Sequence, residues 1–265
     1  MSTSTLSQYL MEKRAANRKI VSIYLTAGYP NLDATLPLLS SLVKGGAELI
    51  ELGVPFSDPL ADGPTIQAAS QQALEAGITL EKTLDLLREF RKESDVPVIL
   101  MGYANPFYRY GWEKLCADTV EAGASGFIIP DLPPEESELL DQEALKNGLD
   151  LIYLVSPNTP EARVNNVLKN SRGFIYAVSL TGVTGARQSL PEETGIFLKR
   201  LKRMTDLPVL IGFGISNTET AKAMAEYGDG VIIGSAVINT IRDSKDLPTA
   251  CSNVESFVRS IREAI

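Results

Sequence analysis

Two acidic residues, Glu51 and Asp62, have the types and positions expected of a pair that moves protons. Glu51 lies inside an apolar run, Leu49-Ile50-Glu51-Leu52-Gly53. Alternate side chains of a strand point to opposite faces, so Glu51 points inward if Ile50 and Leu52 pack on helices. Burial without a neighbouring cation raises a carboxyl pKa, which lets the group hold or release a proton near neutral pH. An outward glutamate, or a buried one paired with a distant arginine, is the alternative.

Asp62 follows eleven residues later, in Pro59-Leu60-Ala61-Asp62-Gly63-Pro64. Asp58 is a second acidic candidate in the same segment. Aspartate beside glycine or proline is also ordinary turn chemistry, so position alone leaves a catalytic and a structural interpretation of Asp62 open.

A group of glycines predicts a site for a phosphate. Gly185 follows the sixth of the eight predicted strands, Gly214 follows the seventh, and Gly234 with Ser235 follows the eighth, where a helix begins. Glycine permits close backbone approach, and a helix start offers unbonded N–H groups and a partial positive charge. Three unrelated turns are the alternative. The net charge of −8 means that an anion must be held locally, and it disfavours a nucleic-acid partner.

The absence of histidine from the chain narrows the possible chemistry. It excludes every histidine-dependent triad and disfavours a catalytic zinc site. No predicted strand ends in a lysine, which argues against a Schiff-base aldolase. Proton or carbon–carbon chemistry by carboxylates, on a phosphorylated substrate and without a metal, is what remains.

Eight apolar runs with helix-like spacing between them supply the elements that must position these residues. They read KIVSIYLTAG, ELIELGV, PVILMGY, GFIIPDLP, DLIYLVSPN, GFIYAVS, PVLIGFG and GVIIGSA. Near-continuous apolar character is typical of parallel strands, and eight strand–helix units predict an α/β fold, a (β/α)8 TIM barrel. We expect one domain over residues 1–265 with an extra N-terminal helix at 5–16. The excess length after the second strand marks the loop most suited to an active site.

Smaller signals predict helix ends and the cell compartment. Gly45–Gly46 indicates the end of the first barrel helix, and Ser216 with Glu219 indicates a capping box. Cys116 and Cys251 are interpreted as two free thiols. Because the chain shows neither a signal-peptide pattern nor a long apolar span, we expect a cytoplasmic protein.

The string ELGVPFSDPLADGPTIQ closely resembles the signature of the tryptophan synthase alpha chain family. YLTAGYPN, MGYANP, IPDLPPEE, YAVSLTGVTGAR, GFGIS and IGSA follow in the family's order along most of the chain, although Ala104 departs from the aromatic residue often found there. The resemblance implies a lyase of tryptophan biosynthesis that cleaves indole-3-glycerol phosphate into indole and glyceraldehyde 3-phosphate. In that reaction Glu51 shuttles protons and Asp62 accepts the indole N–H.

The resemblance also implies further roles and a partner. Tyr24 and Tyr176 line the substrate site, and Thr184 lies on a loop that closes over it. No cofactor is implied for this chain; a beta subunit carrying pyridoxal phosphate consumes the indole, in an alpha2-beta2 heterotetramer. The residues implied to face it are Pro55, Ser57, Asp58, Pro59, Asn105 and Pro106. A free-standing indole-3-glycerol phosphate lyase and a non-catalytic barrel that binds a phosphorylated ligand or activates its partner remain as alternatives.

Overall fold

The computed structural model describes residues 4–178, 192–212 and 214–265. Strands and helices alternate along these residues. The strands are β1 (Ile20–Thr26), β2 (Leu49–Gly53), β3 (Val98–Met101), β4 (Gly126–Ile128), β5 (Asp150–Ile152), β6 (Leu154–Val155), β7 (Ile175–Val178), β8 (Val209–Gly212) and β9 (Gly230–Ile233). The helices are α1 (Thr5–Ala15), α2 (Thr35–Gly45), α3 (Pro64–Glu75), α4 (Leu80–Phe90), α5 (Ala104–Tyr110), α6 (Trp112–Glu121), α7 (Glu138–Lys146), α8 (Glu161–Asn170), α9 (Glu192–Met204), α10 (Thr218–Ala225), α11 (Ser235–Arg242) and α12 (Leu247–Ala264).

The nine strands occupy the eight positions of a parallel barrel. Their order is β5-β4-β3-β2-β1-β9-β8-β7-β6, and all paired neighbours are parallel. The two ends of this order, β5 and β6, are consecutive halves of one segment, separated only by Tyr153. Its first half pairs with β4 and its second with β7, while the Tyr176 amide donates to the Tyr153 carbonyl over 3.2 Å. The predicted (β/α)8 barrel is confirmed, with its fifth strand split into two short ladders.

Side-chain alternation sorts the strand residues into two buried layers. On β2, Ile50 and Leu52 belong to the large apolar cluster between the strands and the helices. Leu49 belongs to a second cluster that fills the lower end of the barrel. That interior cluster consists of Leu6, Leu10, Ile20, Leu49, Ile99, Ile128, Ile152, Phe174, Leu210 and Ile232. The alternation along β2 therefore directs Glu51, two residues after Leu49, into the barrel.

Helix α1, the predicted extra N-terminal helix, closes the lower end of the barrel. Its side chains Leu6 and Leu10 are buried in the interior cluster. The hydroxyl of Ser4, the N-cap residue, accepts from the Ser7 amide and donates to the Asp150 carboxylate over 2.5 Å. Ser7 Oγ donates to the same carboxylate over 3.2 Å. These bonds fix α1 to the start of β5, so the lower barrel is closed and the opposite end remains for a site.

Leu10→Ala is expected to lower the free energy of unfolding by about 2–5 kcal/mol, because it leaves a cavity where the helix fills the barrel. Urea denaturation measures the loss. Met11→Ala is the matched control, since Met11 is 41% exposed on the same helix; we expect a change within about 0.5 kcal/mol. Equal losses for the two variants would contradict this packing of α1.

A cluster of charged side chains fixes the start of β2. Glu48, three residues before Glu51, is buried. Its carboxylate forms ion pairs with Lys13 at 2.9 Å, Arg18 at 2.7 Å and Arg262 at 2.7 Å. Because a buried carboxylate is stable only when it is paired, these cations from α1, the loop after it and α12 hold the strand that carries Glu51.

The predicted helix ends are correct at one position and wrong at another. Gly46 caps α2 with a φ of 102°, a left-handed conformation that favours glycine. The capping box of α10 consists of Asn217 and Thr220, so the predicted pairing of Ser216 with Glu219 is wrong. The Asn217 side chain accepts from the Thr220 amide over 2.8 Å. The short amide of asparagine is an equally good cap, and its position one residue later displaces the expected one.

The two cysteines are free thiols. Cys116 is buried, and burial raises the pKa of its thiol to about 12, which keeps it protonated. Among the residues that the structure describes, no helix combines the length and the apolar character needed to cross a membrane.

Candidate active site

Glu51 lies fully buried inside the barrel. Ser22, on the neighbouring strand β1, donates a hydrogen bond of 2.8 Å to Oε1 of Glu51. Oε2 has no hydrogen-bond partner among the described residues, and no ion pair to Glu51 occurs there either. Burial raises the pKa of Glu51 to about 8, and the Ser22 hydroxyl opposes this rise. The predicted inward orientation of Glu51 is therefore correct. A carboxyl group with this raised pKa can exchange a proton near neutral pH.

Two tyrosines lie within electrostatic reach of Glu51. Tyr24 lies opposite Glu51 in the β1–β2 register, and Tyr176 lies on β7. A Cβ on Gly53 would lie 2.6 Å from Cζ of Tyr24, and one on Gly212 would lie 2.7 Å from the Tyr176 hydroxyl. Only glycine leaves room for these rings, so the ends of β2 and β8 are shaped to hold two aromatic side chains beside the carboxyl group.

Asp62 lies half-buried in the loop between β2 and α3. Its amide donates to the Pro59 carbonyl over 3.0 Å, and the Gln67 side chain donates to the Asp62 carbonyl over 2.9 Å. The hydroxyl of Tyr103, the residue before α5, accepts from the Ala61 amide over 3.1 Å and so lies beside Asp62. Burial raises the pKa of Asp62 to about 6, against the lowering effect of the Tyr103 hydroxyl.

The structure therefore adds Tyr103 and Ser22 to the predicted site. The sequence places Tyr103 at the end of a predicted strand but assigns it no role. Its hydroxyl joins the loop after β2 to the third strand position, a contact between elements distant in sequence. Ser22 could have been found from the sequence, because it is a polar residue two positions before Tyr24 and therefore on the same inward face of the strand.

Tyr103→Phe is expected to raise the pKa of Asp62 above about 6, by about one pH unit, because the variant removes the nearby hydroxyl that lowers the pKa of this carboxyl group. The ionised fraction of Asp62 at pH 6 then falls. A carbon-13 NMR titration of aspartate-labelled protein measures the shift. Tyr153→Phe is the matched control, since its hydroxyl shares a hydrogen bond of 2.6 Å with Ser137 and belongs to a different element. An unchanged Asp62 titration in Tyr103→Phe would show that the Tyr103 hydroxyl does not influence Asp62.

Glu51 and Asp62 act on the same two tyrosines but differ in protonation state. The pKa of Tyr24 is raised by burial, then by Asp62, and more weakly by Glu51. The pKa of Tyr176 is raised by burial, then by Glu51 and Asp62. Both rings thus lie within electrostatic reach of both acids. With pKa values of about 8 and about 6, Glu51 is mainly protonated and Asp62 mainly ionised at pH 7.

The glycine-lined loops are described in part. Gly214 follows β8, is exposed and has a φ of 61°, with open space where a Cβ would lie. Gly234 is the N-cap of α11, and Ser235 is its exposed first residue. The first amides of a helix have no intrahelical acceptor, so the start of α11 can present N–H groups to an anion, and the open space beside Gly214 permits close approach. Thr184 and Gly185 lie outside the described residues.

The predicted partner-contact residues lie at the same end of the barrel, after β2 and β3. Leu60, beside them, is 94% exposed, which is unusual for a leucine. Of the predicted residues, the exposed ones are Ser57, Asp58 and Asn105, the half-buried ones are Pro59 and Pro106, and Pro55 is buried. Within the described residues, no group of three or more Cys, Asp or Glu side chains is arranged to hold a metal ion.

Comparison with known proteins gives one consistent result. The family model described as "Tryptophan synthase alpha chain" matches residues 10–265. The tryptophan synthase alpha chain of Dehalococcoides mccartyi is 43% identical over 248 residues, which cover 94% of this chain and 96% of the relative. The tryptophan synthase alpha chain of a Roseiflexus species is 45% identical over 260 residues, which cover 98% of this chain and 99% of the relative. A crystal structure of tryptophan synthase subunit alpha from Legionella pneumophila has a TM-score of 0.92 at 39% identity, covering 100% of this chain and 99% of that one. A ligand-free tryptophan synthase structure from M. tuberculosis has a TM-score of 0.87 at 33% identity, covering 98% and 100%.

Proposed function

Since the chain belongs to the tryptophan synthase alpha chain family, it is a lyase of tryptophan biosynthesis, and we propose that Glu51 and Asp62 carry its cleavage of indole-3-glycerol phosphate. The observation that carries this proposal is the pair of unequal carboxyl groups, one protonated and one ionised at pH 7, at one end of the barrel. A retro-aldol cleavage needs one acid and one anion in these states.

Glu51 acts first as an acid and then as a base. Its carboxyl proton passes to C3 of the indole ring, which becomes tetrahedral and places a positive charge on the ring. The resulting carboxylate then accepts the proton of the chain hydroxyl. As the aldehyde forms, the electrons of the carbon–carbon bond return to the ring. Glu51 ends protonated, so one group serves both transfers and no proton is lost.

Asp62 stabilises the charge that develops between these two steps. Its carboxylate accepts the indole N–H as the ring becomes positive, an interaction that is strongest at the protonated intermediate. Interactions that strengthen toward the transition state are those that accelerate a reaction. Tyr103 supports this role, because its hydroxyl lowers the pKa of Asp62 and so favours the ionised form.

The substrate is held at both ends. Tyr24 and Tyr176 supply the aromatic walls beside Glu51, where the planar indole fits. The loops at Gly214 and at Gly234 with Ser235 bind the phosphate, whose charge is complementary to the start of α11. In this proposal Thr184 belongs to the loop that covers the substrate, and Gly185 belongs with the glycines that bind the phosphate.

A beta subunit is the proposed partner. The exposed residues after β2 and β3 (Ser57, Asp58 and Asn105, with half-buried Pro59 and Pro106) would contact it, and Pro55 would shape the loop from within. In this proposal the partner carries pyridoxal phosphate and consumes the indole, in an alpha2-beta2 complex, while this chain uses no cofactor of its own.

A direct assay of the purified chain tests the reaction. The chain is mixed with indole-3-glycerol phosphate, and glyceraldehyde 3-phosphate is measured with and without a beta subunit. We expect cleavage by the chain alone and an increase when the beta subunit is added. High activity without any increase would favour a free-standing lyase. No product under either condition would contradict the proposed reaction.

A further inference from the structure

Ser22 is a polar residue in an apolar part of the barrel. It is fully buried on β1, directly opposite Leu49 of β2 and Ile232 of β9 in the strand registers. Both of these neighbours belong to the interior apolar cluster. A hydroxyl group in such surroundings is unfavourable unless it forms a hydrogen bond. The bond that it forms among the described residues is the one to Glu51 Oε1, at 2.8 Å.

This hydrogen bond makes the two oxygens of Glu51 different. Oε1 accepts from Ser22, whereas Oε2 is buried without a partner among the described residues. When Glu51 is protonated, an oxygen that already accepts a hydrogen bond serves as the carbonyl-like one, and the proton resides on the other. The serine also restricts rotation of the carboxyl group about its last side-chain torsion, which is otherwise broad.

We propose that Ser22 is a positioning residue for Glu51: its hydroxyl holds Oε1 and so leaves Oε2 as the oxygen that gives and takes the proton. This inference rests on the proposed role of Glu51 in the cleavage reaction. Ser22 itself need not touch the substrate, because it lies toward the lower, apolar side of the carboxyl group. Its contribution is to orient the acid and to favour the carboxylate that forms after the first proton transfer.

The other groups around Glu51 do not duplicate this contribution. The titratable side chains that face it are Tyr24 on β1 and Tyr176 on β7, with Asp62 beyond them. Burial raises the pKa of both tyrosines well above the ordinary value, so they stay neutral through the working pH range. No ion pair to Glu51 occurs in the described part of the chain. Ser22 is thus the one described group that lowers the pKa of Glu51.

Ser22→Ala tests the inference through a readout that a purely structural serine would not move. The parent chain should lose activity as pH rises through about 8, where Glu51 ionises. In Ser22→Ala the pH above which activity is lost should rise by about one to two units, since a hydrogen bond to the charged form of Glu51 is lost. At pH 7, kcat should fall by about ten- to a hundredfold, with KM within about twofold, because the acid is no longer oriented.

Two further variants sharpen the test. Ser22→Thr keeps the hydroxyl, so it should have most of the parental kcat and should lose activity at nearly the same alkaline pH as the parent. Ser41→Ala is the matched control, because Ser41 is also buried and also donates a hydrogen bond, to the Pro37 carbonyl over 2.9 Å on α2. It should match the parent in kcat and in pH profile. A Ser22→Ala profile identical to that of the parent would overturn the inference.

A measurement independent of activity separates this inference from the proposed function. Carbon-13 NMR of glutamate-labelled protein, with Glu51→Gln used to assign the Glu51 signal, gives the pKa of Glu51 directly. We expect a higher value in Ser22→Ala than in the parent. An unchanged value would refute the role of Ser22 even if Glu51→Gln is inactive. Full activity of Glu51→Gln would instead refute the proposed function, whatever the NMR titration shows.

Discussion

Glu51→Gln is expected to lower kcat for cleavage of indole-3-glycerol phosphate by about 10²–10⁴-fold, with little change in substrate binding. Glutamine has nearly the same shape and can still accept a hydrogen bond from Ser22, so the barrel interior is preserved. It cannot donate an acidic proton to C3 or accept one from the chain hydroxyl. A direct assay of glyceraldehyde 3-phosphate measures the loss, and isothermal titration with the substrate measures binding.

Asp150→Asn is the matched control for this variant. Asp150 is also a buried carboxyl group on a barrel strand, and burial likewise raises its pKa. It lies at the opposite end of the barrel, bound to Ser4 and Ser7. The control should therefore alter stability without altering kcat. Near-normal turnover by Glu51→Gln would refute the assignment.

Glu51→Gln should also change the stability of the fold in a pH-dependent way. The folded-state pKa of Glu51, about 8, lies above that of an exposed glutamate, so between the two values the folded chain binds a proton that the unfolded chain does not. The contribution of Glu51 to stability therefore falls as pH rises through this window. Glu51→Gln removes that dependence, and the variant should gain stability relative to the parent from pH 5 to pH 8. Urea denaturation at both pH values measures the difference.

Asp62→Asn is expected to lower kcat by about 10²–10³-fold, the loss typical when one charge-stabilising group is removed. Asparagine can still accept the indole N–H, but it carries no negative charge to offset the positive ring. Substrate should still bind, since the phosphate and aromatic contacts are unchanged. The parent should lose activity as pH falls through about 6, where Asp62 becomes protonated. This acid limb should be absent in the variant.

Glu75→Gln controls for a change of charge in the same region. Glu75 is an exposed residue at the end of α3, where its carboxylate accepts from Gln71 over 2.9 Å. The kcat of Glu75→Gln should equal that of the parent. If Asp62→Asn retained more than a third of parental kcat, the proposed charge stabilisation would be wrong.

Local sequence patterns predict the barrel and the orientation of Glu51. Near-continuous apolar runs are typical of strands buried on both faces, and the alternation of Leu49, Ile50 and Leu52 determines which way Glu51 points. The enlarged segment after β2 is predicted as a loop, but about half of it is helix α3, which starts at Pro64. Proline at the first helical position was the signal for that helix.

Contacts between distant elements limit what the sequence reveals. The hydrogen bond from Ser22 to Glu51 depends on the β1–β2 register, and the hydrogen bond from the Ala61 amide to Tyr103 joins the loop after β2 to the residues after β3. Neither register nor loop path is encoded in a local pattern. The break between β5 and β6 at Tyr153 is likewise invisible, because the apolar run continues through it.

Exchange of the C3 hydrogen of indole for deuterium tests the central proton transfer without any cleavage. The purified chain is incubated with indole in deuterated water, and proton NMR follows the C3 signal. We predict that the parent chain exchanges this hydrogen faster than solvent alone does, because Glu51 delivers and removes a proton there, and that Glu51→Gln exchanges it at the solvent rate. Exchange by Glu51→Gln at the parental rate would contradict the account.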